Sequence, residues 1–147
     1  MIDRIVLENV NMRALPDAVN QGEPSMLWNT CVEFRKGESY LLEAASGRGK
    51  SSLCYFLCGL RSDYTGWISF FDGNGEYSAK DERAVVALRQ RGIAMMFQEH
   101  RLFPELSAVD NVMLKSCLTG FADEGEVRGM LMRLGLGAHL DVPCGMM

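Results

Sequence analysis

The segment from Ala44 to Ser51 constrains the fold of this chain more than any other part of it, and its residues are Ala-Ala-Ser-Gly-Arg-Gly-Lys-Ser. A short apolar segment, Ser39 to Glu43, leads into it and is predicted to be a strand. Further along, apolar residues recur at the spacing of one helix face: Leu53, Phe56, Leu57 and Leu60. A strand, a glycine-bearing loop and a helix in this order predict an α/β protein with a phosphate-binding loop.

The residue types of this loop suit a nucleotide. Successive backbone N–H groups in a tight loop form a nest for an anion, which needs glycines where φ is positive or where the ligand comes close. The following helix presents its free N–H groups and its positive dipole end to the same phosphates. Lys50 would reach the β- and γ-phosphates, and the Ser51 hydroxyl would bind Mg²⁺. The predicted nucleotide-binding residues are Ala44, Ala45, Ser46, Gly47, Arg48, Gly49, Lys50, Ser51 and Ser52, with Lys50 as a catalytic residue and Ser51 as a metal ligand.

Ala44 occupies the place of the first glycine in this pattern. Alanine keeps the position small but restricts φ, so the loop can form only if this residue stays in a normally allowed region. The alternative is a glycine-rich turn that binds nothing. The predicted strand before the loop, the predicted helix after it and the intact Gly-Lys-Ser-Ser sequence favour nucleotide binding.

Composition excludes some other classes of protein. Hydrophobic residues make up 48% of the 147 residues, charged residues 23%, and the formal net charge is −4. A net acidic chain argues against a general nucleic-acid binder, so no nucleic-acid partner is predicted. No run of about 18 apolar residues occurs, so membrane association would come through a partner.

The five cysteines are scattered and include no C-x-x-C pair. Cys54 and Cys58 could share one side of a helix and hold a metal, but a structural metal site normally needs four ligands. Buried reduced thiols are the favoured interpretation.

Strands come first along the chain and helices follow. Strands are predicted at Ile2 to Val10, Leu27 to Phe34, Ser39 to Glu43, Trp67 to Phe71 and Ile93 to Phe97, with a loop from Ala14 to Ser25. Helices are predicted from Lys50, at Asp81 to Arg91, and after two capping boxes, Ser107 with Asp110 and Asp123 with Glu126.

A second block identifies a family. Residues 93 to 114 are I-A-M-M-F-Q-E-H-R-L-F-P-E-L-S-A-V-D-N-V-M-L. This block resembles the Q-loop region of ABC ATPases, where a strand ends in Phe-Gln, a Leu-Phe-Pro segment follows, and a helix begins near Asp-Asn-Val. Other pieces agree in order and spacing: Leu7 to Val10, Phe34 to Glu38, Gly59-Leu60, Thr65 to Ile68 and Phe71 to Gly73. The resemblance covers nearly the whole chain and is nearest to the bacterial cell-division, lipoprotein-release and macrolide-export type.

The resemblance implies a fold and a set of partners. It implies a P-loop NTPase core with an antiparallel β-subdomain over residues 1–98 and the start of a helical subdomain over residues 99–147. The implied cofactors are ATP and Mg²⁺. The implied partners are membrane-spanning permease subunits and a second ATP-binding subunit that forms a dimer, at the cytoplasmic face of the inner membrane. Gln98 is implied as a catalytic residue that contacts Mg²⁺ or the attacking water and links the nucleotide to the helical subdomain.

Three other positions need a separate interpretation. An aromatic residue that stacks on adenine is absent from Asn11 to Leu15. His100 is interpreted as a surface or partner-contact residue rather than a catalytic base. Taken alone, a glutamine such as Gln98 after an apolar strand is more often a polar strand end, and its place in the block supports the role.

The resemblance implies that the hydrolytic elements of the family would follow the position of Met147. These are the Ser-Gly-Gly signature, the acidic Mg²⁺-holding strand, the glutamate that polarises water and the switch histidine. By the same resemblance, their strands would lie between the two predicted parallel strands, whose edges would otherwise be exposed. We expect no steady-state ATPase activity from this chain alone. The alternatives are a catalytically incomplete nucleotide-binding module and a soluble ABC-type ATPase of DNA repair or translation.

Overall fold

The computed structural model describes residues 1–13, 25–99 and 101–147. The loop predicted from Ala14 to Ser25 therefore lies, apart from Ser25, outside the described residues, as does His100. The region from Asn11 to Leu15 is described only as far as Arg13. The chain forms two compact units, Met1–Met95 and Met96–Met147.

The first unit contains a four-stranded antiparallel sheet with the order β2-β1-β3-β4. Its strands are β1 (Ile2–Met12), β2 (Cys31–Arg35), β3 (Tyr64–Asp72) and β4 (Gly75–Ser78). β1 pairs with two neighbours, so that Leu7 lies opposite Val32 on one side and Ile68 on the other. The strands predicted at Ile2 to Val10 and Trp67 to Phe71 are confirmed.

The residues before β2 form a turn, so the strand predicted from Leu27 to Phe34 begins only at Cys31. The Ser25 hydroxyl accepts hydrogen bonds from the backbone N–H groups of Leu27 and Trp28, at 3.1 and 2.9 Å. A serine side chain that binds nearby backbone in this way competes with strand pairing. Leu27 and Trp28 are nevertheless buried, so their apolar character reflects burial in the core rather than a place in the sheet.

Buried apolar side chains join the sheet to helix α1 (Lys50–Leu57). The sheet contributes Leu7, Val10, Ile68 and Phe70, and the helix contributes Leu53 and Phe56. Leu60, predicted on the same helix face, is 45% exposed because the helix ends at Leu57 and the chain then turns at Gly59.

Two polar side chains begin the elements that follow β3. The Asp72 carboxylate accepts a hydrogen bond from the Asn74 N–H at 2.8 Å, which closes the turn into β4. Helix α2 (Glu82–Arg91) begins after Asp81, whose carboxylate accepts from the N–H groups of Arg83 and Ala84. The helix predicted at Asp81 to Arg91 is therefore confirmed, with Asp81 as its N-cap.

The strands predicted at Ser39 to Glu43 and Ile93 to Phe97 are not formed. A strand is stabilised by backbone hydrogen bonds to a neighbour, and no part of the chain that the structure describes pairs with either segment. Leu41 is 84% exposed and Met96 is 95% exposed, whereas Ile93 packs against the core of the first unit. The fold is mixed α/β with an antiparallel sheet, as predicted, but the expected parallel strands are absent among the described residues.

The second unit packs two helices, α3 (Ala108–Thr119) and α4 (Glu124–Arg133). Each begins with the predicted capping box, Ser107 with Asp110 and Asp123 with Glu126. The buried cluster between them comprises Ala108, Val109, Val127 and Leu131. Two short 3₁₀ helices follow, at Gly137–His139 and Cys144–Met146.

The Asn111 side chain holds the segment before α3. Its Oδ1 accepts a hydrogen bond from the Phe103 N–H at 2.8 Å. Its Nδ2 lies 3.0, 3.2 and 2.9 Å from the carbonyl oxygens of Phe103, Leu106 and Ser107. The Leu106 carbonyl also accepts from the Cys144 N–H at 2.9 Å, so one amide links the Leu-Phe-Pro segment, the start of α3 and the final residues.

An ion-pair cluster joins α4 to the final segment. The Arg128 guanidinium donates to Glu124 Oε1 at 2.8 Å and to the two oxygens of Asp141 at 3.1 and 2.6 Å. The hydrogen bond from Arg128 holds the pKa of Asp141 below its ordinary value. The same contacts, first with Asp141 and then with Glu124, raise the pKa of Arg128.

We expect the second unit to lose stability in acid partly through Asp141. Its pKa is lower in the folded state than in the unfolded state, so the contribution of the pair is present above the unfolded value. That contribution is lost as pH falls below the unfolded value and through the lower folded value. In urea titrations followed by far-ultraviolet circular dichroism, Asp141→Asn should flatten this acid loss. Glu105→Gln, an exposed carboxylate outside the cluster, should leave it unchanged. An acid profile that is the same in Asp141→Asn and the native chain would contradict the assignment.

Candidate functional site

The loop predicted to bind phosphate runs at the protein surface from Ala44 to Gly49 and leads directly into α1. Gly47 and Gly49 adopt left-handed backbone, with φ of 78° and 89°. Ala44 is not among the residues with positive φ, so alanine fits the place where the pattern has glycine. The substitution that weakened the motif in the sequence is therefore compatible with the loop.

Two buried side chains lie directly against Gly49. A Cβ at this position would lie 2.7 Å from the Met12 side chain and 2.9 Å from the Trp28 ring. The Trp28 indole also donates a hydrogen bond from Nε1 to the Arg48 carbonyl oxygen at 3.2 Å. No motif in the sequence pointed to Met12 or Trp28. The one signal was the apolar pattern that placed them in or beside strands.

The N-terminus of α1 differs from those of the other α-helices in the described residues. Those helices begin with a capping side chain, Asp81, Ser107 or Asp123. The N-cap residue of α1 is Gly49, which has no side chain to act as a cap, and the first turn of α1 contains no acidic residue. Its first N–H groups therefore have no side-chain acceptor, which is the arrangement that an anion satisfies.

The Lys50 ammonium group folds back onto the loop. Its Nζ donates hydrogen bonds to the carbonyl oxygens of Ala44 and Ala45, at 2.5 and 2.9 Å. This contact ties the first residue of α1 to the first two residues of the loop. A phosphate oxygen can replace a neutral carbonyl here, because its full negative charge attracts the ammonium more strongly than a carbonyl dipole does.

The two serines after Lys50 differ in their surroundings. Ser51 is exposed at the surface, where its hydroxyl can reach a metal ion carried by a nucleotide. The Ser52 hydroxyl accepts a hydrogen bond from Arg61 at 3.3 Å. Arg61 also binds both carboxylate oxygens of Asp63, and this hydrogen bonding lowers the pKa of Asp63 and raises that of Arg61.

The donor set fits magnesium carried by phosphates rather than an ion held by the protein alone. Within residues 1–13, 25–99 and 101–147, no three His, Cys, Asp or Glu side chains group as metal ligands. Mg²⁺ commonly keeps several waters and takes few protein ligands beside the substrate phosphates. Of the cysteines, only Cys58 is buried, whereas Cys54, Cys31 and Cys117 are exposed, so the expectation of buried thiols is wrong for most of them. The short helix α1 leaves Cys54 on its solvent side.

Gln98 is exposed and follows the segment from Ile93 to Phe97, which forms neither a helix nor a strand. It belongs to the second unit, whereas the loop from Ala44 to Ser51 belongs to the first. Beside it, the Arg101 guanidinium lies 4.9 Å from the centre of the Phe97 ring. A common site made by Gln98 and the loop stays a prediction.

The loop lies at the surface, contains two glycines with left-handed backbone, and is followed by a lysine and an uncapped helix N-terminus. These features are typical of the class of proteins with a phosphate-binding loop. The sequence pattern of the ABC transporter family matches residues 27–146, and the chain belongs to this family. In the part of the chain that the structure describes, no helix is long and apolar enough to cross a membrane.

Individual relatives differ in what their names describe. The chain is 35% identical over 137 residues to an uncharacterized ABC transporter ATP-binding protein of Escherichia coli K12, covering 90% of this chain and 59% of that protein. It is 38% identical over 97 residues to a lipoprotein-releasing system ATP-binding protein of Cytophaga hutchinsonii, covering 66% and 43%. It is 35% identical over 119 residues to a ribose import ATP-binding protein of Burkholderia ambifaria, covering 76% and 22%. The chain thus spans less than two thirds of the length of these relatives.

We expect the two loop glycines to differ in their tolerance of alanine. At Gly47 nothing lies within 4 Å of an added Cβ, so Gly47→Ala should cost about 1 kcal/mol for left-handed backbone alone. At Gly49 the same backbone cost is joined by overlap with Met12 and Trp28, so Gly49→Ala should cost about 3 kcal/mol. Urea unfolding followed by tryptophan fluorescence measures both free energies. Equal losses would show that the contact of Gly49 with the core is not tight.

Proposed function

We propose that this chain is the ATP-binding part of an ABC transporter ATPase subunit, and that residues 44–52 form its Walker A loop. The observation that carries this proposal is the uncapped N-terminus of α1, preceded by left-handed glycines and followed by Lys50. Membership of the ABC transporter family supports ATP as the nucleotide. The backbone N–H groups of the loop and of the first helical turn would bind the phosphate oxygens.

Three side chains have distinct roles in the proposed site. Lys50 would exchange the carbonyls of Ala44 and Ala45 for the β- and γ-phosphates, and would stabilise negative charge there as a catalytic residue. The exposed Ser51 hydroxyl would bind Mg²⁺, an ion that neutralises phosphate charge when bound. Gln98 would either bind Mg²⁺ as a further ligand or hydrogen-bond to the attacking water. An amide suits both roles, because it is uncharged and its oxygen can face a cation or accept from a water.

The proposed partners follow from the family. We infer that the chain works beneath membrane-spanning permease subunits, paired with a second ATP-binding subunit, at the cytoplasmic face of the inner membrane. In this arrangement residues 1–98 would form the core with the β-subdomain, and residues 99–147 the helical subdomain. The names of the relatives cover both lipoprotein release and ribose import, so the similarity does not indicate a transported substrate.

A second candidate is a module that binds nucleotide without turning it over. What supports it is the loop itself, because left-handed glycines, an uncapped helix N-terminus and Lys50 are enough to hold a nucleotide. Hydrolysis by ABC ATPases needs Mg²⁺ held from two sides and an oriented water. Both candidates bind ATP through the same loop, and they differ in turnover.

Lys50→Ala should weaken ATP binding by about 10- to 100-fold, because charge-assisted hydrogen bonds contribute about 1.5–3 kcal/mol. A titration with a fluorescent ATP analogue in the presence of Mg²⁺ measures the affinity. The matched control is Lys36→Ala, which removes an exposed lysine that pairs with Asp3 at 3.3 Å, away from the loop. Equal affinity in Lys50→Ala and Lys36→Ala would rule out the loop as the phosphate site.

The isolated 147-residue chain should release no phosphate from ATP in steady state. A phosphate-release assay with and without Mg²⁺ tests this expectation. Magnesium-dependent turnover that disappears in Lys50→Ala would contradict it, and would also eliminate the second candidate. Turnover that persists in Lys50→Ala would indicate a contaminating enzyme. Both proteins would then be purified further, until the native chain and Lys50→Ala differ in phosphate release or neither releases phosphate.

A further inference from the structure

We propose that Trp28 is a positioning residue for the phosphate-binding loop, which it holds in its binding conformation through the Arg48 carbonyl group. This inference rests on the proposed function, since it concerns the same loop. The indole is 6% exposed, and its Nε1 donates to the Arg48 carbonyl oxygen at 3.2 Å across 20 positions of sequence. Trp28 does not belong to the loop motif and would act through the loop backbone, without touching the nucleotide.

The backbone around Trp28 fixes the position of the indole. The Trp28 N–H donates to the Ser25 hydroxyl at 2.9 Å. The next residue, Asn29, donates its N–H to the Val10 carbonyl oxygen at 2.9 Å, which ties the turn to the end of β1. The ring also packs edge-on against Phe56 of α1, with 6.4 Å between ring centres. The indole is therefore held by the sheet on one side and by the helix on the other.

The hydrogen bond from Trp28 sets the orientation of the peptide between Arg48 and Gly49. In a trans peptide the C=O and the N–H point in opposite directions. Because the Arg48 carbonyl points at the buried indole, the Gly49 N–H points to the side away from it. A glycine peptide turns over easily, since both signs of φ are open to it. Without the indole N–H, the loop could lose this amide from its anion nest.

The protein contains one other tryptophan, which makes the test direct. Trp67 lies on β3, is 57% exposed and stacks beneath the Lys80 ammonium group at 4.3 Å. Trp67→Phe keeps an aromatic ring on the sheet and leaves Trp28 as the single indole. The fluorescence of this variant therefore reports on the environment of Trp28 alone.

The experiment compares Trp28→Phe with Trp67→Phe, at a temperature where urea titration shows both to be fully folded. Trp28→Phe keeps a buried ring but removes the N–H donor. Its affinity for a fluorescent ATP analogue with Mg²⁺ should fall about three- to tenfold, the effect of one lost hydrogen bond on the loop. Trp67→Phe should bind as the native chain does. In Trp67→Phe, the Trp28 emission should change as ATP or ADP is added, with the same midpoint as the binding titration. Adenosine, which has no phosphate, should not change this emission.

Three outcomes are distinguishable. A selective loss of affinity in Trp28→Phe, together with a phosphate-dependent emission change in Trp67→Phe, supports the positioning role. The role is overturned if Trp28→Phe binds ATP as tightly as the native chain and the Trp28 emission of Trp67→Phe does not change with ATP. This outcome leaves the proposed function intact, because the chain still binds ATP. A native chain that binds no nucleotide overturns the proposed function, and with it this inference.

Discussion

The burial of Phe56 is the interaction on which the first unit depends. α1 has only eight residues, and a helix of that length is unstable in water without tertiary contacts. Phe56 is fully buried, packed edge-on against Trp28 and at 4.9 Å between ring centres from Tyr64. Full burial of one such ring contributes about 2–3 kcal/mol. The helix, and therefore the loop before it, owes its place to this aromatic contact with the sheet.

The same cluster contains one uncompensated polar atom. The hydroxyl of Tyr64 is buried without a hydrogen-bond partner among the described residues, and burial raises the pKa of this tyrosine. The Lys80 ammonium lies 5.5 Å from the centre of the Tyr64 ring. The cost of the buried hydroxyl, about 1–3 kcal/mol, is offset by the apolar area that the ring removes from water.

The second unit is held differently. Its buried cluster is small, and polar side chains do much of the organising. Both helices begin with complete capping boxes, the Asn111 amide links three carbonyl groups around the start of α3, and Arg128 joins α4 to the final segment. Local sequence carries most of these contacts, which is why the capping boxes were predictable from residue spacing alone.

The failures of sequence reasoning have one physical origin. Ser39 to Glu43 and Ile93 to Phe97 have the composition of buried parallel strands, but composition expresses only a preference for a buried, hydrogen-bonded place. Whether such a place exists depends on neighbours that lie far away in sequence or on other chains. Trp28 was misjudged for a similar reason, since an apolar residue before β2 suits a strand and a buried turn equally well.

The sequence by itself determined the loop from Ala44 to Ser51, the helix after it, the capped helices of the second unit and the family. These features depend on residues close together in the chain, where turn chemistry, capping and periodicity act directly. Only the tertiary structure decided what lies beneath the loop. Met12 and Trp28 lie 37 and 21 positions before Gly49 in the sequence, and they contact it because the end of β1 and the turn before β2 both lie against the start of α1. Contacts over that distance leave no local pattern, so no spacing rule could have found them.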